Sequence, residues 1–457
     1  MTHPFWPVVW GTWIGITCLE LILLFLATRK TSQKIIAAKL GRLLWNLSHP
    51  ALRLSWQEFV ESHLRAATGR PLERPFGNAR HYFDWTQIQF NPVYLSTAPG
   101  NAAVEIDTAV VLGPRSRRPL QLKIPVLIGG MSYGNALSLK AKVSLAKGAA
   151  LAGTATNSGN GPFLPEERQA AAKFIFQYAR GFWSKTEAIF QQADLIEIGF
   201  GHGAWVSAPV RVKGQKINRA FGKRLGTIPG LDVLIEARFP EVANIQELQN
   251  LVAALKEASG GAPVGVKFGL SHDLEKELAI MVPAGIDIIT VDGLEGGTHG
   301  GPPLLLDDVG LPTLPGLCRA VRYLKNQCWR KEISLVVGGG LVTPGDFAKS
   351  LALGADAVII GTIAALTMSH TQVSESVPWE APTGLIFFGG KEEARFDPDL
   401  GARNLAYYLE SCVREMKELT RALGKTSLQE LNQADLVALD SLYAEIAGIQ
   451  NAGASPG

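Results

Sequence analysis

The chain has 457 residues, of which 47% are apolar and 48 are glycines, and it is too long for one compact core without extensions. Its 44 Lys and Arg residues nearly balance its 41 Asp and Glu residues, leaving a net charge of +3, which argues against a nucleic-acid-binding protein. The four cysteines show no C-x-x-C spacing and indicate reduced thiols in a cytoplasmic body.

The first predicted element is an apolar segment, Phe5–Ala27, whose only charged residue is Glu20. It is long enough to span a bilayer. Basic residues follow from Arg29 onward, and the positive-inside rule then places the rest of the chain in the cytoplasm. We therefore expect a transmembrane anchor over 1–30, a single pass through the cell membrane and a barrel on the cytoplasmic side. A buried hairpin or a helix docked on a partner is the alternative.

From Pro125 onward, short apolar strands alternate with helices or long loops. Eight such strands predict an α/β fold, a (β/α)8 TIM barrel with an N-terminal transmembrane helix and helical extensions. A doubly wound sheet could use similar strands. We expect a helical or linker segment over 31–95, the barrel over 96–370 and a largely helical extension over 371–457. The predicted strands are 125–129, 153–156, 174–178, 195–198, 264–268, 286–291, 334–337 and 357–360.

The last two predicted strands each end in a glycine turn. Gly338, Gly339 and Gly340 follow the seventh strand, and Gly361 and Thr362 follow the eighth. Between them, Thr343 and Pro344 are suited to open a helix. Paired turns of this kind bind phosphate in (β/α)8 barrels, although the glycines could serve only as turn residues.

Barrel enzymes keep their chemistry at the carboxyl ends of the strands, so the residues there are the candidate site. Candidates for proton transfer are His202, Glu295 and His299, because each follows a strand and can titrate. The residues predicted to bind a cofactor are Gly129, Gly130, Met131, Ser132, Asn157, Lys267, Asp292, Gly296, Gly297, Thr298, Gly338, Gly339, Gly340, Gly361 and Thr362.

Lys267 lies inside the apolar run VGVKFG. A lysine in a buried strand is unfavourable unless an anionic group meets it. One interpretation is a catalytic cation beside the N1–O2 edge of a reduced flavin. The other is a structural ion pair with Asp292 or Glu197.

Five motifs between Pro125 and Ala365 resemble the flavin domain of the glutamate synthase family. They are GGMSYGNALS, TATNSGNG, VGVKFG, VDGLEGGTHGGPP followed by GLP, and VGGGLVTPGDFAKSLALGADAVIIGTIAAL. The resemblance implies a barrel that holds FMN and reduces a cyclic or iminated 2-oxo acid above it. It also implies an oxidoreductase of the class that acts on CH–NH2 donors.

Three positions depart from the family pattern. Asn160 stands where the family has a glutamate, and 202–207 read HGAWVS where the family has Q-G-A-K-P-G. The family's cysteine run after the eighth strand reads AALTMSHTQ here, so we expect no iron–sulfur cluster and no metal. No counterpart of the family's glutaminase domain is expected either.

The leading prediction is a membrane-anchored, FMN-dependent oxidoreductase with an unknown small-molecule substrate and an unknown electron donor or acceptor. One alternative is a redox-neutral flavin enzyme like type 2 isopentenyl-diphosphate isomerase, which shares the barrel and needs no cluster. Another is a non-catalytic flavin-binding or scaffold protein, which the loss of the family glutamate at Asn160 would suit.

Overall fold

The computed structural model describes residues 17, 20–21, 54–78, 80, 82–95, 98–205, 208–375 and 382–454. The chain divides into two compact units, Met1–Leu72 and Glu73–Gly457. In the first unit, helix α1 (Trp56–Thr68) begins at a capping box between Ser55 and Glu58. The limits predicted for the domains, 1–30, 31–95, 96–370 and 371–457, remain a prediction.

The second unit is built around eight parallel strands that form a nearly closed barrel. Along the sheet, the strands follow the order 126–128, 357–360, 334–338, 288–292, 264–269, 195–199, 173–178 and 155–157. The two strands at the ends of this order lie side by side. Across that gap the Thr154 hydroxyl donates a hydrogen bond of 2.7 Å to the Val126 carbonyl. The strands in chain order are β1 (Ile88–Phe90), β2 (Val110–Leu112), β3 (Leu120–Leu122), β4 (Val126–Ile128), β5 (Ala155–Asn157), β6 (Lys173–Tyr178), β7 (Leu195–Gly199), β8 (Val210–Val212), β9 (Val233–Ile235), β10 (Val264–Gly269), β11 (Ile288–Asp292), β12 (Ser334–Gly338), β13 (Ala357–Ile360), β14 (Leu436–Ala438) and β15 (Gln450–Asn451).

Helices cover the outside of this barrel and bury one apolar face each against it. Leu145, Val252 and Leu317, from three different helices, are all buried in the outer core. This is the α/β, TIM-barrel-like architecture that the alternating strands predict. The helices of the second unit are α2 (Leu139–Ala152), α3 (Pro165–Ala170), α4 (Glu187–Phe190), α5 (Arg219–Leu225), α6 (Ile245–Ala258), α7 (Leu274–Met281), α8 (Pro303–Asp307), α9 (Thr313–Asn326), α10 (Pro344–Ala352), α11 (Thr362–Glu375), α12 (Pro382–Ile386), α13 (Pro398–Ala422) and α14 (Ser441–Ala447).

The interior of the barrel is apolar at the amino ends of its strands. Ala155, Leu195 and Ile288, each at the start of a strand, share one buried cluster with Leu112 and Leu120 of the β2–β3 hairpin. The hairpin therefore closes the amino end of the barrel, and Gly113 at its tip donates its N–H to the Ser334 hydroxyl at 3.0 Å. The candidate site must lie at the opposite end.

Two further parts of the second unit flank the barrel. Between β7 and β10, the antiparallel β8–β9 hairpin and α5 build a separate core in which Tyr133 and Phe221 are in edge contact at 5.5 Å between ring centroids. In the C-terminal segment, α13 lies along α2, and β14 pairs antiparallel with β1. The sequence alone did not reveal these short strands.

The prediction of a single-pass membrane protein is wrong, because no helix in the described part of the chain is long and apolar enough to cross a membrane. The one described helix with sufficient length, α13, carries charged residues along its exposed side, among them Arg403, Glu410 and Arg414. The segment on which the prediction rested, Phe5–Ala27, lies outside the described residues except for Thr17, Glu20 and Leu21.

Candidate functional site

A layer of buried polar side chains lies at the carboxyl end of the barrel interior. Glu197 is its centre, because Glu197 Oε1 accepts hydrogen bonds from Asn157 Nδ2 at 2.9 Å and from Gln177 Nε2 at 2.7 Å. These side chains come from three adjacent strands, β5, β6 and β7. Lys267 and Asp292 continue the layer from β10 and β11. The barrel thus changes from apolar at its closed end to charged at its mouth.

Lys267 forms an ion pair with Asp292, with 3.0 Å between Nζ and Oδ2 and both side chains 8% exposed. Burial by itself favours the neutral amine, but the carboxylates of Asp292 and Glu197 outweigh it and raise the pKa of Lys267. The ammonium group therefore stays charged. Of the two interpretations that the sequence left open, the ion pair with Asp292 is present, and the role of Lys267 beside a flavin ring remains a prediction.

The loops after the first two strands meet at close range. A Cβ on Gly130 would lie 3.0 Å from Asn157 Oδ1 and 3.2 Å from Gln177 Nε2. Asn157 Oδ1 also accepts the N–H of Gly159 at 2.9 Å. The predicted residues Gly129, Gly130, Met131, Ser132 and Asn157 therefore lie together, at the edge of the polar layer.

The glycine turns after the seventh and eighth strands differ in their surroundings. Gly339 has a φ of 116°, and a Cβ there would lie 2.3 Å from Thr313 Oγ1, so this turn is packed against its neighbour. At Gly361, in contrast, a Cβ would meet no atom within 4 Å. Neither Gly340 nor Gly361 donates its N–H to an acceptor in the described chain. Open space beside free donors at the start of α11 fits a phosphate group.

Helix α10, between the two turns, begins as the sequence predicts. Thr343 is its N-cap, Pro344 is its first residue, and the Thr343 hydroxyl accepts the N–H of Asp346. The Asp346 carboxylate in turn accepts the N–H of Thr343 at 2.8 Å. Side chains of the helix start itself thus accept the N–H groups of Thr343 and Asp346.

The loop after β11 closes over the eighth-strand turn. A Cβ on Gly297 would lie 2.0 Å from the Thr362 hydroxyl, so Gly296, Gly297 and Thr298 run directly beside that turn. Thr298 accepts the N–H of Phe76 at 2.8 Å. The predicted residues of the sixth and eighth strands are therefore brought together.

Glu295 has a structural partner that the sequence did not reveal. One of its carboxylate oxygens accepts the N–H of Thr313 at 2.9 Å and the Thr313 hydroxyl at 2.8 Å, at the start of α9. Burial raises the pKa of Glu295. The predicted role of this residue in proton transfer remains a prediction, and its contacts are those of a helix cap.

The two candidate histidines are both held neutral. Burial, followed by the charge on Lys216, lowers the pKa of His299 to about 4, and Lys216 Nζ lies 3.3 Å from His299 Nε2. Burial, followed by Lys267, lowers the pKa of His202 to about 4. His202 Nδ1 has no hydrogen-bond partner among the described residues. Their roles remain predictions.

Sequence reasoning missed several polar residues of this region. Glu197 was considered only as a partner for Lys267, although a charged residue inside the apolar strand LIEIG carries the same signal as Lys267 itself. Lys216 lies in the long insertion between β7 and β10, where no regular pattern marks it. Lys142 lies on a helix rich in alanine, and its complete burial is set by tertiary contacts.

Comparison with known proteins gives matches over most of the chain. Residues 82–426 match the family model described as "Conserved region in glutamate synthase". The chain is 32% identical over 427 residues to a glutamate synthase large subunit-like protein of Rhizobium meliloti (strain 1021), covering 89% of this chain and 96% of that protein. It is 31% identical over 451 residues to the archaeal glutamate synthase [NADPH] of Methanocaldococcus jannaschii, covering 92% and 88%.

Solved structures share the fold at lower identity. A flavocytochrome b2 variant with benzoylformate aligns with a TM-score of 0.52 at 15% identity, over 84% of this chain and 86% of that one. A variant of an active chimera of (S)-mandelate dehydrogenase aligns with a TM-score of 0.50 at 17% identity, over 77% and 88%. At this identity the likeness concerns the fold alone.

Proposed function

The chain belongs to the glutamate synthase family, and from that premise we propose that it is an FMN-dependent oxidoreductase acting on a small molecule at the mouth of its barrel. The observation that carries the proposal is the open space at Gly361, after β13. The buried ammonium group of Lys267, on β10 of the same barrel, supports it. A helix N-terminus attracts phosphate, and a fixed cation suits an electron-rich ring.

We assign the residues that would hold FMN to two groups. Gly340, Gly361 and Thr362 would hold the phosphate, with the start of α11 behind them. The loops at Gly130 and Asn157, with Lys267, would contact the ring system. FMN, when bound, supplies a carrier for two electrons. Lys267, buried and charged, would stabilise negative charge on a reduced ring bound beside it.

The substrate is expected to differ from that of the relatives. Asn160 lies beside the β7 terminus, with its Oδ1 3.4 Å from where a Cβ on Gly199 would stand, and an amide cannot hold a proton as a carboxylate does. Trp205 occupies the other changed position, and its indole N–H donates to the Ala208 carbonyl at 3.2 Å. The proposal is therefore a flavin oxidoreductase whose substrate and electron partner are unassigned.

The charges around His299 favour an anionic group of the substrate at that side of the mouth. Glu73 is already bound to Lys213, at 2.7 Å. Lys216, the second cation beside it, contacts only the neutral His299 in the described chain. Lys213, Lys216 and Glu73 together therefore carry one surplus positive charge, which lies on the half-buried Lys216. The ring of Phe387 is close by, with its centroid 5.4 Å from that of the His299 ring.

His299 is suited to deliver a proton at this place. Its Nε2 accepts from Lys216, so the neutral ring carries its proton on Nδ1 and can donate it to a substrate atom. Lys216 then lies in position to restore that proton through Nε2. His202 and Glu295 remain candidates for the same role on the other side of the mouth.

The proposal is tested on the purified full chain. We expect a yellow protein that releases FMN and not FAD. Dithionite or a nicotinamide should reduce its flavin, and a candidate electron acceptor should reoxidise the flavin. A protein that is colourless and cannot be loaded with FMN contradicts the proposal. Flavin binding without turnover would favour a non-catalytic flavin protein, which the amide at Asn160 suits. Turnover with the flavin held reduced and no net electron use would favour a redox-neutral enzyme.

A further inference from the structure

An ion pair is completely buried behind the second strand of the barrel. Lys142 on α2 and Glu167 on α3 are 2.9 Å apart, and both side chains are 1% exposed. Burial lowers the pKa of Lys142 and raises the pKa of Glu167, and the opposite charge of the partner acts against each of these shifts. A buried pair of this kind is often no more stable than apolar residues of similar size. Its presence therefore calls for a role other than stability.

The contacts of the pair show where the lysine is directed. Lys142 Nζ donates a hydrogen bond of 2.8 Å to the main-chain carbonyl of Asn157, the last residue of β5. The approach to Glu167 is close, but neither carboxylate oxygen has hydrogen-bond geometry with any described residue. The carbonyl of Asn157 is thus the directed partner, and Glu167 is the countercharge.

Asn157 is held from its other side as well. Its side-chain amide donates to Glu197 Oε1 at 2.9 Å, and its Oδ1 accepts the N–H of Gly159 at 2.9 Å. Gly159, with a φ of 68°, lies so close to the loop after the first strand that a Cβ would stand 2.7 Å from Ser132 N. Lys142 therefore holds the main chain of Asn157, and Glu197 holds its side chain inside the barrel. Asn157 in turn holds Gly159, which packs against the loop after the first strand.

We propose that Lys142 is a positioning residue of the candidate site, which holds the main chain of Asn157 and through it sets the loop 157–161 against the loop 129–132. The proposal rests on the assignment of these loops to the flavin ring. It predicts that removal of Lys142 loosens the loop and weakens the flavin site without disturbing the rest of the barrel. A purely structural pair would change overall stability alone.

The test compares two double variants of the full chain. Lys142→Met/Glu167→Met removes both buried charges and keeps side-chain length, so that no uncompensated charge remains. Lys425→Met/Asp435→Asn removes another ion pair, 2.5 Å long and 16% and 12% exposed, in the C-terminal segment. Hydrogen exchange of peptides covering 155–161, FMN dissociation constants and flavin spectra are measured on both and on the unmodified protein.

We expect the first variant to exchange the 157–161 amides at least about tenfold faster, and to bind FMN about tenfold more weakly with a shifted flavin spectrum, because a hydrogen bond to a charged group is lost. The control should change neither. Equal loop protection and an unchanged flavin site in a folded Lys142→Met/Glu167→Met protein would overturn the proposal.

A second variant keeps the test decisive if the double variant does not fold. Glu167→Gln removes the countercharge but leaves Lys142 bound to Asn157, so stability should fall while loop exchange and FMN affinity stay near normal. A loosened loop in Glu167→Gln would show that the pair acts as a whole and would overturn the role given to Lys142. Because hydrogen exchange is read without flavin, a protein that binds no FMN at all refutes the proposed function separately.

Discussion

Lys267 forms a buried ion pair with Asp292, and we propose that the same ammonium group acts on the flavin. We expect Lys267→Met to leave Asp292 buried and unpaired, which lowers the free energy of unfolding by about 3–5 kcal/mol. The same change removes a positive charge from the floor of the mouth, so the reduction potential of bound FMN should fall. Potential and melting temperature are measured on the same preparation.

The double variant Lys267→Met/Asp292→Asn separates the two effects. It removes both charges, so stability should recover in part, because no carboxylate remains unpaired in the interior. A potential that is unchanged in Lys267→Met itself would mean that Lys267 does not act on the flavin and that only the ion pair matters.

Gly361 offers a second test at the scale of one residue. Gly361→Ala places a methyl group in the open space beside free N–H donors, so FMN binding should weaken at least about tenfold, or roughly 1.4 kcal/mol. Gly345→Ala adds the same methyl group near the start of α10, in ordinary contact with Thr343 Oγ1 at 3.5 Å, and should leave FMN binding unchanged. Equal affinities in the two variants, measured by fluorescence titration, would remove Gly361 from the phosphate site.

At the scale of secondary structure, Glu295 joins the loop after β11 to the start of α9. Its carboxylate accepts two hydrogen bonds from Thr313, so Glu295→Ala should lower the free energy of unfolding by about 1–2 kcal/mol, as loss of a helix cap does. Glu295→Gln keeps an acceptor oxygen and should lose less. If Glu295→Gln is fully stable but inactive in turnover, the residue acts in proton transfer and not only as a cap.

The same elements show what a sequence can and cannot reveal. All eight barrel strands lie within about two residues of their predicted positions, because buried parallel strands read as apolar runs between glycine turns. The hairpins β2–β3 and β8–β9 were missed, since strands of three residues carry too little periodicity. Asn157, Lys267 and Asp292 were predicted from their positions within strands or at strand ends, and their roles in binding a cofactor remain predictions. The cap role of Glu295 and the burial of Lys142 depend on neighbours more than 15 positions away or on another helix, so local patterns do not encode them.

For the molecule as a whole, stability should decline toward acid pH. The pKa values of His202 and His299 are about 4 in the folded chain, below the ordinary value near 6.5 for an unfolded histidine. The folded state therefore binds fewer protons, and stability present above about pH 6.5 is lost as the pH falls toward 4, by up to about 3 kcal/mol for each residue.

Urea unfolding at pH 7.5 and pH 5 measures this loss. His299→Asn should show a smaller difference between the two pH values than the unmodified protein, because one of the two histidines no longer titrates. His272→Asn, at an exposed position, serves as the control. An identical pH dependence in all three proteins would contradict the burial of His299.

The division of the chain also leads to an expectation. Every residue of the candidate site belongs to the unit Glu73–Gly457, so a protein that begins at Glu73 should fold and bind FMN with the affinity of the full chain. Circular dichroism and FMN titration check this. A shortened protein that folds but has lost FMN binding would mean that residues before Glu73 complete the site.

The hairpin that closes the amino end of the barrel limits the routes by which reactants reach the candidate site. With Leu112 and Leu120 filling that end, reactants reach the interior of the barrel from its mouth. An electron donor and an electron acceptor that both react inside the barrel therefore share one opening. Two reactants too large to occupy that opening together must react one after the other, and double-reciprocal plots of their initial rates would then be parallel lines.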